Sequence, residues 1–459
     1  MRIDLLFPGI SLIGFNSFGH SAVQEASFMH HGIASISAYL KSKGHEPTLT
    51  DLRRLRNWAD VEEKILRTDA KVFGLSTMSC DYGIASTIAA LIKKRRPDSI
   101  TVVGGVHPTV ATGEVVENTS FDHIITGEGE YSLCRLLEEL EQGRKPDRLI
   151  RGESVDLAAL PWVDREVFAY QDGEARTPLL PHMRQPFVTI MTSRGCPYRC
   201  RFCQPAERMV FGNRVKIRPL EDVLGELLHL RERYRFESFL VHDDLFILKP
   251  HYVEEFVAEY KRNGFHQPFA CQARADIIVQ MEERIRMLAE SGLDCLMVGF
   301  ESGSQRMLDF MEKGTTVEQN RRAVEICRRY GIRLYANMMF GLPTETRKDM
   351  DATVDFIRWM KPDYLSCAVF TPYPGTYLYE YCKERSLLMP FSHQSYRRDP
   401  LSGAKVRGVN YRLVHYELLR AAPYKLIGLW ASKLAGFQAV NHLSKAKHRI
   451  LALLRGARF

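Results

Sequence analysis

The sequence predicts an α/β chain: two successive parallel βα units, an open doubly wound sheet and then a partial barrel, followed by a basic helical tail. Three observations carry this. Short apolar segments alternate with amphipathic ones twice over, across residues 1–145 and again across 187–385. The stretch 146–186 interrupts that rhythm and reads as a linker. In 386–459 the alternation stops and the composition turns basic, with mostly helical patterning. Alternation of this kind builds parallel sheets whose ligands sit at the strand carboxyl ends. At 459 residues the chain has room for two or three domains, and 45% apolar content is ordinary for a globular protein.

In the first unit, strands fall at Arg2–Phe7, Glu46–Asp51, Val72–Ser76, Thr101–Gly104 and His123–Thr126. Helices are expected over His30–Lys43, closed by Gly44, and near Gly83–Arg95 and Tyr131–Gln142. The loop after the first strand, PGISLIGFNSFGHS, has glycines at 9, 14 and 19, so the G-x-G-x-x-G phosphate fingerprint is absent. Asp51 alone is weak support for a dinucleotide. The third strand ends in Ser76-Thr77 and the fourth in Gly104-Gly105-Val106-His107-Pro108. Paired glycines remove Cβ atoms where a bulky ligand must lie against backbone.

In the second unit, strands fall at Phe187–Ser193, Ser238–His242, Phe269–Ala273, Cys295–Phe300, Arg333–Met339 and Tyr364–Val369. Helices fill the gaps near 220–233, 250–262, 281–291, 317–330 and 348–360. Such a run of βα repeats makes a partial barrel with its reactive residues at the strand carboxyl ends. The first strand feeds SRGCPYRCRFCQP, which holds Cys196, Cys200 and Cys203 in C-x3-C-x2-C spacing. Three thiolates can hold three irons of a [4Fe–4S] cluster and leave the fourth open for chemistry. Structural zinc is the other use of such a loop, but zinc takes four ligands, and no second C-x2-C or His pair follows. Later strand ends read HDDLF at 242–246, QARAD at 272–276, GFESGS at 299–304, FGLPTET at 340–346 and TPYPGT at 371–376. Taken singly these are weak: Asp243, Asp244 or Glu301 could cap a helix, and Arg274 could be a surface partner of Asp276.

With Pro197-Tyr198 after its first cysteine and Phe202 before its last, the loop is similar to the signature of radical S-adenosylmethionine (SAM) enzymes. GGVHPT, ITGEGE and GIASISAYLKSKGHE resemble the Rossmann-like cobalamin-binding domain of the B12-binding members of that superfamily, and the likeness covers roughly residues 1–385. The resemblance implies a [4Fe–4S] cluster on Cys196, Cys200 and Cys203, SAM at its open iron, and cobalamin. It puts Ser76, Thr77, Gly104 and Gly105 around the cobalamin nucleotide tail, with His107 packed beside that cofactor or bonded to it. Asp243 or Asp244 then lies near the SAM amino group, Arg274, Glu301 and Ser302 near its carboxylate or ribose, and the turn through Gly341 and Pro343 against adenine. One departure matters. The D-x-H-x-x-G motif that supplies a histidine to cobalt is missing, and His20, His30 and His31 lack its spacing, so no protein histidine is expected on cobalt.

The activity implied is a C-methyltransferase acting on an unactivated carbon through a 5′-deoxyadenosyl radical, with an electron donor such as flavodoxin or ferredoxin. Relatives with this layout also oxidise, cyclise or rearrange without net methyl transfer, which is the alternative within the family. A non-catalytic corrinoid or iron–sulfur carrier is the alternative outside it. The strand-end motifs count against a carrier, which has no need of Arg274, Glu301 or the FGLPTET turn.

Residues 403–459 hold eleven Lys or Arg against one acid, Glu417, a net +10 that leaves −2 for the rest of a chain carrying +8. YKLIGLWASKLAGF places Leu426, Ile427, Leu429, Trp430, Leu434 and Phe437 on a broad apolar face. This is either a helical cap on the barrel or an interfacial helix drawn to anionic headgroups. The second reading implies peripheral contact at the inner face of the membrane and a lipid or isoprenoid substrate; a small molecule is the general expectation. No recognised RNA-binding module accompanies the charge, so nucleic acid is not an expected partner. The seven cysteines outside the loop are scattered singly, as reduced thiols of a cytoplasmic protein. MRIDLLFPGI reads as a strand, not a signal peptide, and no run of about eighteen apolar residues occurs.

Overall fold

The computed structural model describes residues 1–9, 29–170, 180, 182–203, 205–390, 392–396 and 404–422. Strands β1 (Arg2–Phe7), β2 (Glu46–Asp51), β3 (Val72–Ser76), β4 (Ile100–Gly104), β5 (His123–Thr126) and β6 (Leu149–Arg151) form one parallel sheet ordered β2-β1-β3-β4-β5-β6. The order reverses at β1 and β3, which opens a crevice at their carboxyl ends, the usual ligand position in a doubly wound sheet. Some elements were not legible as such, among them the short helices Val106–Val110 and Thr112–Glu117. β6 falls inside the stretch expected as a linker; at three residues it is too short for periodicity to reveal. The helix Trp58–Arg67 is charged, and only Val61 and Ile65 are buried along it.

The second sheet contains β7 (Phe187–Ile190), then β8 (Ser193–Arg194) and β9 (Lys216–Ile217) as a separate antiparallel pair. It continues through β10 (Ser238–Val241), β11 (Phe269–Ala273), β12 (Leu293–Glu301), β13 (Arg333–Phe340) and β14 (Tyr364–Val369). All its pairings are parallel, in the sequential order β14-β13-β12-β11-β10-β7 of a partial barrel. Its amino-terminal mouth is plugged: Leu180 and Met183 pack on Phe187, Leu240, Ala270 and Cys295. His182 seals the plug, 2.6 Å from the Tyr364 hydroxyl and 2.5 Å from Asp294. Chemistry is therefore confined to the carboxyl mouth.

Two consecutive residues stitch the units together. The Asp164 amide donates to Ala34 O at 3.0 Å, and its carboxylate accepts from Ser37 Oγ at 2.6 Å, both on the first unit's helix His31–Ser42. Arg165 turns the other way, donating to Glu226 at 2.8 Å and to Thr189 O at 2.6 Å in the barrel. Glu226 is 2% exposed and also accepts from Arg218 at 2.6 Å.

In the C-terminal region the helix Tyr411–Ala421 covers the barrel, burying Val414 and Leu418, with Arg420 paired to Asp351 on the helix Arg347–Met360. The apolar stretch at 424–437 lies outside the described residues. Among the described residues no helix is long and apolar enough to cross a membrane.

Glu226 is the shared carboxylate of two buried guanidiniums, and removing one member of such a set leaves uncompensated charge. Glu226→Ala should lower stability by roughly 3 kcal/mol in denaturant unfolding; a loss near zero would show that the stitch carries no load.

Candidate active site

The cysteine loop is closed at its neck and pinned along its length. β8 and β9 pair across it, Ser193 with Ile217 and Arg194 with Lys216. Gly195 has φ +100°, and a Cβ there would stand 2.7 Å from Arg214 O, so glycine is required where the chain turns into Cys196. Further along, the Arg201 amide donates to Met311 O at 2.9 Å and its carbonyl accepts from Leu378 N at 3.0 Å. Phe202 is buried among Met307, Leu308, Met311 and Leu342, anchoring the segment between Cys200 and Cys203. None of the three loop cysteines is in a disulfide; Cys196 and Cys200 are half-buried and Cys203 is exposed.

Two cations face this loop. Arg274 stacks 3.6 Å above the Tyr198 ring and places Nη1 3.5 Å from Cys200 Sγ. It is held by Asp276 at 3.0 and 3.1 Å and by Lys313 O at 2.6 Å, so its pairing with Asp276 is buried rather than superficial. Lys313 is buried and 3.1 Å from Glu301. Burial pulls its pKa down, but the charges of Glu301, Cys200 and Cys203 outweigh that and raise it. Three thiols in one loop beside two buried cations are a donor set that fits an anionic thiolate cluster. Burial raises the Cys196 thiol above its usual value.

Asp243 and Asp244 part ways. Asp243 is fully buried and accepts from Thr192 N at 2.6 Å and Ser193 Oγ at 2.7 Å, fixing the entry to the loop. Asp244 instead lines a cavity beside Glu207. Glu207 is pushed up to about 9, first by burial and then by the charge and hydrogen bond of Asp244. Neither aspartate caps the helix Pro250–Arg262, whose N-cap is Lys249.

That cavity, about 380 Å³, joins the two units. Ser76, Gly104 and Gly105 line it at the carboxyl ends of β3 and β4, and Ser193, Arg194, Gly195, Glu207 and Asp244 line it beside the cysteine loop. The two glycines differ. At Gly105, with φ +102°, a Cβ would lie 2.9 Å from Thr77 O, so the fold itself excludes a side chain. At Gly104 a Cβ would meet nothing nearer than Ile125 O at 3.5 Å, an ordinary contact. Its bareness therefore leaves room on the cavity wall, which fits a bulky cofactor lying against backbone. His30 also lines the cavity, but its Nδ1 accepts from Ile33 N at 3.1 Å. Burial lowers its pKa to about 4. The ring is therefore neutral and held through Nδ1 by the Ile33 amide.

The remaining expected residues lie off the cavity wall. Thr77 ties β3 to β4, its amide donating to Gly104 O at 2.9 Å. His107 is buried against Tyr82 with ring centroids 4.3 Å apart, because the turn at Gly105 directs the helix Val106–Val110 away from the cleft. Glu301 sits at φ +64° where the β12–β13 register slips, and it pairs with Lys313 instead of capping a helix. Ser302 bonds Thr353 Oγ1 at 3.0 Å. The turn at Gly341 and Pro343 is folded onto the Glu345 carboxylate, which accepts from Gly341 N at 2.5 Å and Leu342 N at 3.2 Å. Burial pushes Glu345 up to about 8.

The two halves of the cavity are clamped by Arg194. It donates to Glu128 at 3.0 Å, Glu130 at 2.7 Å and Ser35 at 3.1 Å, all in the first unit. Lys216, its partner across the loop neck, pairs with Glu128 and donates to Val155 O at 2.8 Å. Glu128 and Glu130 are the acids of ITGEGE.

Residues 190–357 match the family model of the radical SAM superfamily, and residues 23–137 match that of the B12 binding domain. The chain is a radical SAM protein with a B12-binding domain at its amino-terminal side. It is 27% identical over 399 residues to an uncharacterized methyltransferase of Pyrococcus horikoshii, covering 82% of this chain and 83% of that one. It is 26% identical over 368 residues to the anaerobic magnesium-protoporphyrin IX monomethyl ester cyclase of Rubrivivax gelatinosus, covering 76% of this chain and 65% of the cyclase. In fold it is similar to the radical SAM methyltransferase TsrM of Kitasatospora setae, with a TM-score of 0.64 and 20% identity over 85% of this chain and 77% of TsrM. A radical SAM domain and a B12-binding domain imply a [4Fe–4S] cluster, SAM and cobalamin as the cofactors.

Arg194 makes the clamp pH-dependent. Burial would raise the Glu130 carboxyl, but the Arg194 charge and hydrogen bonds from Arg194 and Ser35 hold it below its usual value. A depressed carboxylate stabilises the fold above its unfolded pKa of about 4.3, and that contribution is lost as pH falls through the lower folded value. Arg194→Ala should lower the unfolding midpoint strongly at pH 7 and much less near pH 4, where Glu130 of the variant is protonated. An equal loss at both pH values would show that Arg194 acts through packing alone.

Proposed function

We propose that the protein is a methyltransferase that places a methyl group on an unactivated carbon of a small molecule held between its two units. The observation that carries this is the single cavity whose wall is shared by Gly104 and Gly105 on the cobalamin side and by Ser193, Gly195 and Asp244 beside the cysteine loop. When bound, the cluster with SAM supplies a radical that activates a C–H bond, and cobalamin supplies the methyl group. The chain provides placement. Cys196, Cys200 and Cys203 hold the cluster, while Arg274 and Lys313 offset its negative charge. Asp244 and Glu207 receive the SAM ammonium. Backbone at Ser76, Gly104 and Gly105 accepts the nucleotide tail, and Leu5, Leu75, Val102 and Ile125 keep that wall apolar and shed water.

The likeness to a methyltransferase of Pyrococcus and to the methyltransferase TsrM supports this reading. The likeness to the cyclase favours a second one, oxidative cyclisation or rearrangement on the same cofactors. A lipid or isoprenoid substrate and contact with a membrane rest on the basic, apolar sequence after residue 422. A flavodoxin- or ferredoxin-type donor rests on the cluster's need for an electron.

The two readings separate in one assay. Reconstituted protein carrying reduced cobalamin should turn SAM into S-adenosylhomocysteine and methylcobalamin, and on cluster reduction should also release 5′-deoxyadenosine. Gly104→Val should fold but lose cobalamin binding at least tenfold, and with it methylcobalamin formation. Cys196→Ala/Cys200→Ala/Cys203→Ala should lose iron and 5′-deoxyadenosine. Release of 5′-deoxyadenosine with no methylcobalamin at all would favour cyclisation.

The acid pair adds a second expectation. At pH 7 Glu207, raised to about 9, is protonated; an ammonium group beside Asp244 takes over the proton's role, and the proton leaves. Calorimetry of SAM binding in two buffers of different ionisation enthalpy should show release of about one proton, absent in Glu207→Gln. No release from the parent protein would place the ammonium elsewhere.

A further inference from the structure

His107, set aside by the cavity, belongs to another group. Its Nε2, the Glu114 carboxylate and a ring nitrogen of His393 lie within 4.8 Å of one another. They come from three elements, the helices Val106–Val110 and Thr112–Glu117 of the B12-binding domain and the short turn His393–Tyr396 that follows the barrel. None of the three lines the cavity.

The geometry is that of a prepared site. His107 is fully buried, and its Nε2 has no hydrogen-bond partner. That atom stands 3.5 Å from Glu114 Oε2, too far for a good hydrogen bond. The ring is fixed from behind by Ser79 Oγ, 3.2 Å from Nδ1, and from the side by Tyr82 at 4.3 Å. His393 brings Nε2 to 2.8 Å from the other carboxylate oxygen, Oε1, and packs edge-on to His107 at 5.4 Å. A buried imidazole nitrogen without a partner is rare and calls for an occupant.

We infer that His107, Glu114 and His393 bind a divalent transition-metal ion of the zinc type, with water completing the coordination. Two neutral imidazoles and one carboxylate suit such an ion, and three protein ligands leave a fourth position for solvent. Ser79 plays the outer-shell part that orients a ligating histidine. The ion ties the segment after the barrel to the helix that begins next to Gly105 on the cavity wall. It is a staple between units, distinct from the cluster and from cobalamin.

Zinc itself is the probe. Full-length protein with its cluster reconstituted, so that the loop cysteines are occupied, is equilibrated with zinc and freed of excess; zinc and iron are then counted by mass spectrometry. About one zinc per chain should remain beside the cluster iron. His393→Ala and Glu114→Gln, both at partly exposed positions that leave the core intact, should each weaken zinc binding at least tenfold without changing the iron count. Cys134→Ser removes one member of a second grouping, His45, Cys134 and Glu138, and should leave the zinc count unchanged. No retained zinc, zinc that persists in both ligand variants, or zinc lost instead in Cys134→Ser would overturn the assignment.

Discussion

The arrangement depends on one buried ionic clamp, Arg194 against Glu128 and Glu130. Arg194 sits two residues before Cys196, on the strand that closes the neck of the cysteine loop. Its partners lie at the edge of the B12-binding domain, in a turn that lines the cavity. Arg194, with Lys216 beside it, therefore links the cysteine loop to the B12-binding domain. Such a clamp is costly to desolvate and adds little net stability over an apolar replacement. What it contributes is register: the charges are satisfied only when the two sheets present their carboxyl ends to one cavity. Asp164 and Arg165 repeat the principle on the connecting segment, one residue bonded to each unit.

Charge is arranged around the cysteine loop with similar economy. Arg274, at the end of β11, and Lys313, in the loop after the helix Gln305–Phe310, face the cysteine loop, and each is held by its own acid, Asp276 or Glu301. Because those cations are already paired with acids, the loop is not strongly electropositive. On the opposite side, Asp244 and Glu207 crowd two carboxyls into one wall, and one keeps its proton at neutral pH. A zwitterionic amino acid group, with its carboxylate toward the cations and its ammonium toward the acids, matches this polarity.

Most of the architecture was legible because both sheets are parallel and buried, so their strands read as short apolar runs at regular spacing. The barrel strands at Phe269–Ala273 and Tyr364–Val369 fall where periodicity placed them. The cysteine loop and the Gly104-Gly105 pair were legible because local chemistry demands those residue types. The clamp was not: Glu128 and Glu130 were visible as part of ITGEGE, but nothing local says that their partner lies 66 and 64 residues away. Lys313 was missed for the same reason, since it meets Glu301 only through the bulge after β12. Glu207, four residues past Cys203, was open to view, yet its role depends on its hydrogen-bonded neighbour Asp244, which is distant in sequence. His107 was visible as a residue beside the glycine pair, but only the left-handed turn at Gly105 reveals that it faces Tyr82 and Glu114.

The shared cavity can be tested without knowing the substrate. Electron paramagnetic resonance of protein loaded with cob(II)alamin and the reduced cluster reads their separation through magnetic coupling. If both cofactors face one cavity held by Arg194, the cob(II)alamin signal should broaden when the cluster is reduced and sharpen again when it is oxidised. A spectrum that is the plain sum of the two isolated centres would contradict a common cavity.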